Sequence, residues 1–339
     1  MESVESVRDK NIIELKIVKV ILLLCALCIV HPASGTEIEA ERLRGGEAER
    51  EAQFYYNFYA AKQAMDHSHY DQAFYLLTLC NAILPEDGKT LEYLGIIYDV
   101  LKQKDLAGDY FSRAYVCSPK EFYKYHLGYL IDNKDWDQAF LVATQATKDN
   151  AEDPDAWNSL LQVAMQIGNY PSATQAVNEI DRLLGYSRYT ALVRYDIAIR
   201  QSQNKQALKV LDTYLEEDPT DVPFLQQKAL LLEATKAKGK VLIPVYQAVL
   251  EHAPDNALIL NNYAYYLATH KGDLNQAEKM SFKAIQLQPE NPSFLDTYGW
   301  ILHLQGQDSL AKFYLQKALD IVGNHPGQIE IRKHLEKIK

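Results

Sequence analysis

Alanine recurs along this chain at Ala73, Ala107, Ala139, Ala173, Ala207, Ala277 and Ala311. The gaps are 34, 32, 34, 34, 70 and 34 residues, the long one being twice 35. A period near 34 constrains the fold more than any local propensity, because each repeat of that length is one helix-turn-helix hairpin. A hairpin alone has nothing to bury its apolar face against, so successive hairpins must stack. The 339 residues therefore read as a stack of neighbours rather than as the two globular domains that length alone suggests.

The pattern starts at Phe54. Each repeat shows an apolar helix face, a short polar turn, a second helix carrying the alanine and then, often, a proline. Pro85, Pro119, Pro219, Pro254 and Pro289 share one phase, where proline ends one helix and opens the next repeat. Gly95, Gly128 and Gly299 fall at one position of the first helix, which predicts a close crossing of two helices there.

Repeat two reads Leu91, Leu94-Gly95, Tyr98, Ala107, Phe111, Ala114 and Pro119. Repeat four supplies Trp157, Leu160, Ala173 and Val177; repeat seven has Tyr263-Ala264, Ala277, Ala284 and Pro289; repeat eight has Tyr298-Gly299, Leu302, Ala311, Leu315 and Ala318. These spacings resemble the tetratricopeptide repeat. The pair of segments Leu260–Leu267 and Leu295–Leu302 resembles the terminal repeats of exported bacterial cell-envelope members of that family. The resemblance implies an all-α, right-handed α-solenoid of about eight repeats over residues 54–322, with a C-terminal capping helix over 323–339. Three repeats depart from the pattern. Repeat three is one residue short between Gly128 and Ala139. Repeat five has Arg194-Tyr195 where Leu-Gly is expected. Repeat six, near 222–254, lacks the alanine and carries Pro244 inside its second helix, which predicts a local bend.

Ahead of the repeats, Lys16 and Lys19 precede the apolar run Val20–Val30, and Ala33-Ser34-Gly35 offers a small-residue cleavage site. Residues 1–35 read as a secretory signal peptide, with an uncleaved anchor as the alternative. The Glu- and Arg-rich stretch 36–53 reads as a charged tether or a frayed helix. The expected location is outside the cytoplasm, in the periplasm or associated with the outer envelope if the source is bacterial. No transmembrane span is expected after signal cleavage, although peripheral envelope association stays open. Cys80 and Cys117 are too few for a disulfide framework, and Cys80 reads as a small buried hydrophobe.

A net charge of −10 argues against nucleic acid, whose phosphates call for a basic stripe. No phosphate loop, G-x-G-x-x-G, H-E-x-x-H or G-x-S-x-G occurs. His67 and His69 alternate in a polar turn beside Asp66 and Asp71, as solvated histidines do. The chain is accordingly expected to be no enzyme, with no cofactor and no metal site.

The family resemblance implies that the second, fifth, ninth, twelfth and thirteenth positions of each repeat line a concave groove. Repeats one and three then offer Tyr55, Phe58 and Lys62, and Phe122, Tyr125, Tyr129, Asp132 and Asn133. Repeats four to six offer Asn158, Gln162, Gln166, Tyr189, Asp196, Phe224 and Gln227, and the last two Asn261, Tyr265, Asp296, Trp300 and His303. Aromatic rings supply contact area at low entropic cost, and amides hydrogen-bond an extended backbone. The inward cations Lys62, Lys89 and Arg200 sit on separate repeats, which argues against a clamp for a terminal carboxylate. About half of the aromatics are expected to pack between helices instead. The partner expected is a protein or peptide, with the oligomeric state left open. Two other readings stand beside it: an accessory of an envelope assembly or secretion machine docked by its outer face, and a glycan-binding groove.

Overall fold

The computed structural model describes residues 46–323 and 326–338. The expected signal peptide lies outside the described residues, as does most of the tether. Among the described residues there are seventeen α-helices and no strands, in two compact bodies. The first body ends at Leu184. It holds α1 (Glu47–Asp66), α2 (Tyr70–Ile83), α3 (Gly88–Val100), α4 (Lys104–Cys117), α5 (Pro119–Asp132), α6 (Trp136–Asp149), α7 (Pro154–Ile167) and α8 (Tyr170–Leu184). The second body begins at Gly185. It holds α9 (Arg188–Arg200), α10 (Asn204–Glu217), α11 (Val222–Ala234), α12 (Gly239–His252), α13 (Ala257–Thr269), α14 (Leu274–Leu287), α15 (Pro292–Leu304), α16 (Asp308–Val322) and α17 (Gln328–Lys337). Each body thus contains four helical hairpins, and the second carries α17 in addition. Residues 47–53, in the stretch read as a tether or frayed helix, form the first turns of α1.

The hairpin turns share one device. Ser68, Lys102, Lys134, Gly168, Ser202, Lys236, Lys271 and Gly306 all have φ between 55° and 82°. They recur once per repeat. In repeat two, Lys102 N–H donates to Asp99 O at 2.9 Å and Gln103 N–H to Tyr98 O at 2.9 Å. The same pair of bonds closes repeats three and eight, from Lys134 and Asp135 and from Gly306 and Gln307. This left-handed cap satisfies the last carbonyls of the first helix and reverses the chain. The second helix then comes back close enough that each of the seven recurring alanines is buried.

First helices are started by side chains at a matching interval. Asp87, Asp153, Ser187, Asp221, Asn256 and Asn291 each accept a backbone N–H of the first turn. Such caps fix the residue at which a helix begins, and so its register. Repeats one and three are the exceptions, and Gly46 ahead of α1 has no side chain to cap with. A single residue, Ser118, separates α4 from α5 and makes no side-chain cap, and Phe122 breaks the helical dihedrals with φ −107° and ψ 19°.

That junction corrects the reading of Gly128. Leu127, not Gly128, occupies the buried crossing position of α5, whereas a side chain added at Gly128 meets nothing within 4 Å. Leu127 stands as far ahead of Ala139 as Gly95 does ahead of Ala107, so the hairpin of repeat three has regular length and the shortening lies at the junction. Gly95 and Gly299 do sit at crossings: a Cβ on Gly95 would lie 2.6 Å from the Phe111 ring, and one on Gly299 2.8 Å from Leu315 Cγ. In repeat six, α12 runs unbroken through Pro244 and pairs with α11, with no break at the expected bend. Leu242 is buried there, in place of the missing alanine. Cys80 is buried and Cys117 exposed, and both are free thiols.

The two glycines give opposite expectations. Gly128→Ala should stabilise the first body by about 0.5–1 kcal/mol, the helix propensity difference at an unobstructed site. Gly299→Ala should destabilise the second by about 1–3 kcal/mol through overpacking against Leu315. Urea denaturation with amide hydrogen exchange measures both, and equal effects at the two positions would contradict the assignment of Leu127 and Gly299 to the crossings.

Candidate functional site

The groove candidates divide sharply by environment. In the first body, Tyr55 is exposed, and Phe58 is half-buried between Phe54 and Tyr93 with ring centroids 5.8 Å from each. Phe122 is buried, its ring edge filling the space beside Gly88. Tyr125 stacks on Phe111 at 5.2 Å, and the Tyr129 ring lies against Gly108. Phe122 is therefore core, and Tyr125 and Tyr129 pack against α4, because the register of α5 is one residue earlier than the sequence pattern implies. Asn133 serves its own helix end, donating to Tyr129 O at 3.0 Å. Asn158 is half-buried, and Gln162 and Gln166 are exposed on α7.

In the second body, Tyr189 is exposed and Asp196 accepts from Arg200 Nε at 2.9 Å. Phe224 is buried against Tyr214 at 4.1 Å, and Gln227 accepts from Tyr195 Oη at 3.1 Å. Repeat six runs one residue earlier than the sequence pattern implies. Asp221 caps α11 through Phe224 N–H at 3.1 Å, which puts Gln226 and Glu233, not Phe224 and Gln227, at the repeated inward phase. Burial acts to raise the Asp221 carboxyl, but the hydrogen bonds from Arg188 Nε at 2.7 Å and from the capped amide outweigh it and hold the group below its usual range.

Asn261, Tyr265 and Asp296 come together. They line a cavity of about 790 Å³ between α11, α13, α15 and α17. Glu233, at the end of α11, enters it and accepts from the Tyr246 hydroxyl and from Asn262 Nδ2, the latter at 3.0 Å. Burial pushes the Glu233 carboxyl up despite these bonds. Asn261 is 6% exposed, and its amide oxygen has no hydrogen-bond partner. Tyr265 Oη donates to Glu330 Oε1 at 3.2 Å, and burial, reinforced by that carboxylate, pushes its hydroxyl up to about 12.

The C-terminal helix shapes this site as well as ending the stack. Ile331 and Ile338 join the core of the last repeats, as a capping helix requires. The other side of α17 meets first-helix positions. His334 is bonded to Asp296 Oδ1 at 2.8 Å and stacks on Trp300 at 4.4 Å, and Lys337 Nζ lies 4.8 Å from the Trp300 ring centre. Trp300 is thus covered by the chain itself. The sequence pattern misses Glu233, Asn262, Glu330 and His334. The spacing of Asp221 from Ser187 and Asn256, 34 and 35 residues, is a signal that leads to Glu233. The sequence places a capping helix at this end of the chain, but no repeat position points to its polar side reaching the inward residues. Among the described residues no group of three or more His, Cys, Asp or Glu side chains is arranged to hold a metal ion. Among them, too, no helix is long and apolar enough to cross a membrane.

A tetratricopeptide repeat family matches residues 129–187. A TPR repeat-containing protein of Pseudomonas aeruginosa is 26% identical over 174 residues, 51% of this chain. The chain spans 29% of the length of that relative. Among solved structures, the C-terminal part of a TPR repeat-containing protein from Cytophaga hutchinsonii superposes with a TM-score of 0.54 at 17% identity. That match covers 71% of this chain and 98% of the other. A tetratricopeptide repeat protein from Parabacteroides merdae gives a TM-score of 0.44 at 13% identity, over 84% and 100% of the two chains. The chain has the tetratricopeptide-type α-solenoid fold that its period implies, and residues 129–187 match the tetratricopeptide repeat family.

The Glu233 environment carries a pH signature. Its folded-state pKa is raised, so the protonated form suits the fold: that contribution is full below the ordinary glutamate pKa and is lost as pH rises through the folded value. Glu233→Gln should therefore raise the melting temperature at neutral pH, and the gain should shrink in acid. Calorimetry across pH checks this; a gain that persists unchanged in acid would show that burial of the charge is not its source.

Proposed function

We propose that this protein is a non-enzymatic interaction scaffold of the cell envelope that holds a protein or peptide on the face formed by its first helices. The tetratricopeptide fold suggests protein–protein interaction, and no catalytic motif occurs in the sequence. The observation that carries the reading is the cavity over repeats six to eight. There Asn261, Tyr265 and Asp296, three residues at the inward phase, converge with a partly apolar lining and polar atoms suited to an extended chain. Its size falls in the range of specific ligand sites. Export rests on the cationic and apolar run before residue 35.

Selection of displayed random peptides on the full chain tests the binding face. Peptides that bind should lose about tenfold or more in affinity on Tyr265→Ala, as truncation of a central aromatic contact does. They should be unaffected by Phe313→Ser, an exposed position on the second helix of repeat eight. The reverse pattern would move the interface to the outer face.

A further inference from the structure

The cavity in the second body has a pronounced electrostatic sign. Glu233, Asp296 and Glu330 line it, against Lys236 as the one lysine among its described lining residues. Two of these carboxylates accept hydrogen bonds from neutral groups. Glu233 is held by the Tyr246 hydroxyl and the Asn262 amide, and Glu330 by the Tyr265 hydroxyl. Neutral donors fix a carboxylate in place without cancelling its charge. Asp296 is engaged by His334.

A second, independent feature points to a ligand. Asn261 lines the same cavity, is 6% exposed, and leaves its amide oxygen without a donor. Buried carbonyl groups of this kind are normally satisfied, and each exception calls for an explanation. What Asn261 Oδ1 lacks is a hydrogen-bond donor, and what the carboxylates of the lining attract is a cation. The Tyr265 ring at its wall adds a surface on which a planar cation stacks, whereas Tyr266 is stacked on His270 at 4.1 Å.

We propose that this cavity is a socket for a basic side chain, arginine in preference to lysine, presented by an extended peptide. The proposal rests on the interaction-scaffold reading above and names the chemistry of the partner. A guanidinium presents five N–H donors in a rigid plane, enough to serve a carboxylate and, once the Asn261 side chain turns its buried oxygen toward the cavity, Asn261 Oδ1 as well, while its face lies on Tyr265. An ammonium is a compact, strongly hydrated charge and makes the same set less well. The cavity, about 790 Å³, has room for the side chain and the backbone on either side of it. The overall charge of −10 favours encounter with a basic segment.

The test uses the full chain and blocked, fluorescein-labelled heptapeptides of glycine and serine that differ only at the central residue. Fluorescence anisotropy compares arginine, lysine, glutamate and citrulline, the last an uncharged isostere of arginine. The arginine peptide should bind about tenfold more tightly than the citrulline peptide, as the loss of one charged, hydrogen-bonded contact predicts. It should bind about threefold more tightly than the lysine peptide. Glu330→Gln, at an exposed site that leaves the fold intact, should weaken the arginine peptide about threefold or more and leave the citrulline peptide unchanged. Glu233→Gln should do the same, with circular dichroism confirming the fold. Equal binding of arginine and citrulline, preference for glutamate, full arginine binding by both Gln variants, or no binding of any heptapeptide would each overturn the proposal. If displayed peptides still depend on Tyr265 while arginine confers no advantage, the basic socket fails and the scaffold reading stands. If no peptide depends on Tyr265, both fail.

Discussion

Every hairpin in this protein turns on one residue held at positive φ. In seven of the eight that residue and the next close the first helix with a pair of backbone bonds, and in repeat seven Gly272 supplies one, before the second helix runs back along the first. Six of the eight are serine or lysine, residues that resist the left-handed region by roughly 1 kcal/mol or more. The fold sustains that strain because the packing it enables is extensive. The recurring alanines are buried at the return of the second helix, and only repeat six places a larger side chain, Leu242, at that position. Turn and alanine are therefore one constraint: the turn sets the approach, and the alanine allows it.

The alanine half of that constraint is legible in the sequence because its residue type is nearly fixed. The turn half is not, because Ser68, Lys102, Gly168 and Lys236 share a dihedral angle and no chemistry. Registers fail where the pattern relies on one residue type. Gly128 looks like the glycine of a close crossing, but the one-residue connection at Ser118 shifts α5 and leaves Leu127 at the crossing. Repeat six lacks the alanine, and without that marker the pattern sets Phe224 and Gln227 one residue late. The cap at Asp221 sets the register, and with it the inward position of Glu233. Helix starts, where a side chain must meet a specific amide, are a firmer ruler than the helix interior.

The site is legible only in its last two repeats. Asn261, Tyr265, Asp296 and Trp300 fall at the correct phase because Ala264 and Gly299 mark the crossing there unambiguously. What no repeat pattern contains is α17. Its apolar side completes the core through Ile331 and Ile338, while Glu330, His334 and Lys337 reach the first helices of repeats seven and eight. A helix required to cover the end of a stack thereby also covers Trp300 and walls one side of a cavity. Contacts between distant repeats of this sort follow from three-dimensional placement, and one-dimensional periodicity is blind to them.

Glu233 shows why this cavity differs from a merely polar gap. Its carboxylate is carried inward at the end of a first helix, raised in pKa by burial, and held there by a tyrosine hydroxyl and an amide. For folding alone a glutamine would serve better, since it would keep hydrogen bonds and avoid desolvating a charge. A group that costs stability yet is firmly positioned fits a site whose charge is used. The unpartnered oxygen of Asn261 in the same cavity points the same way: both are acceptors, and both are complemented by one donor-rich cation. The first-helix face of the second body is thus best understood as an acceptor surface assembled in advance, with its geometry set by the stack and its polarity by three carboxylates.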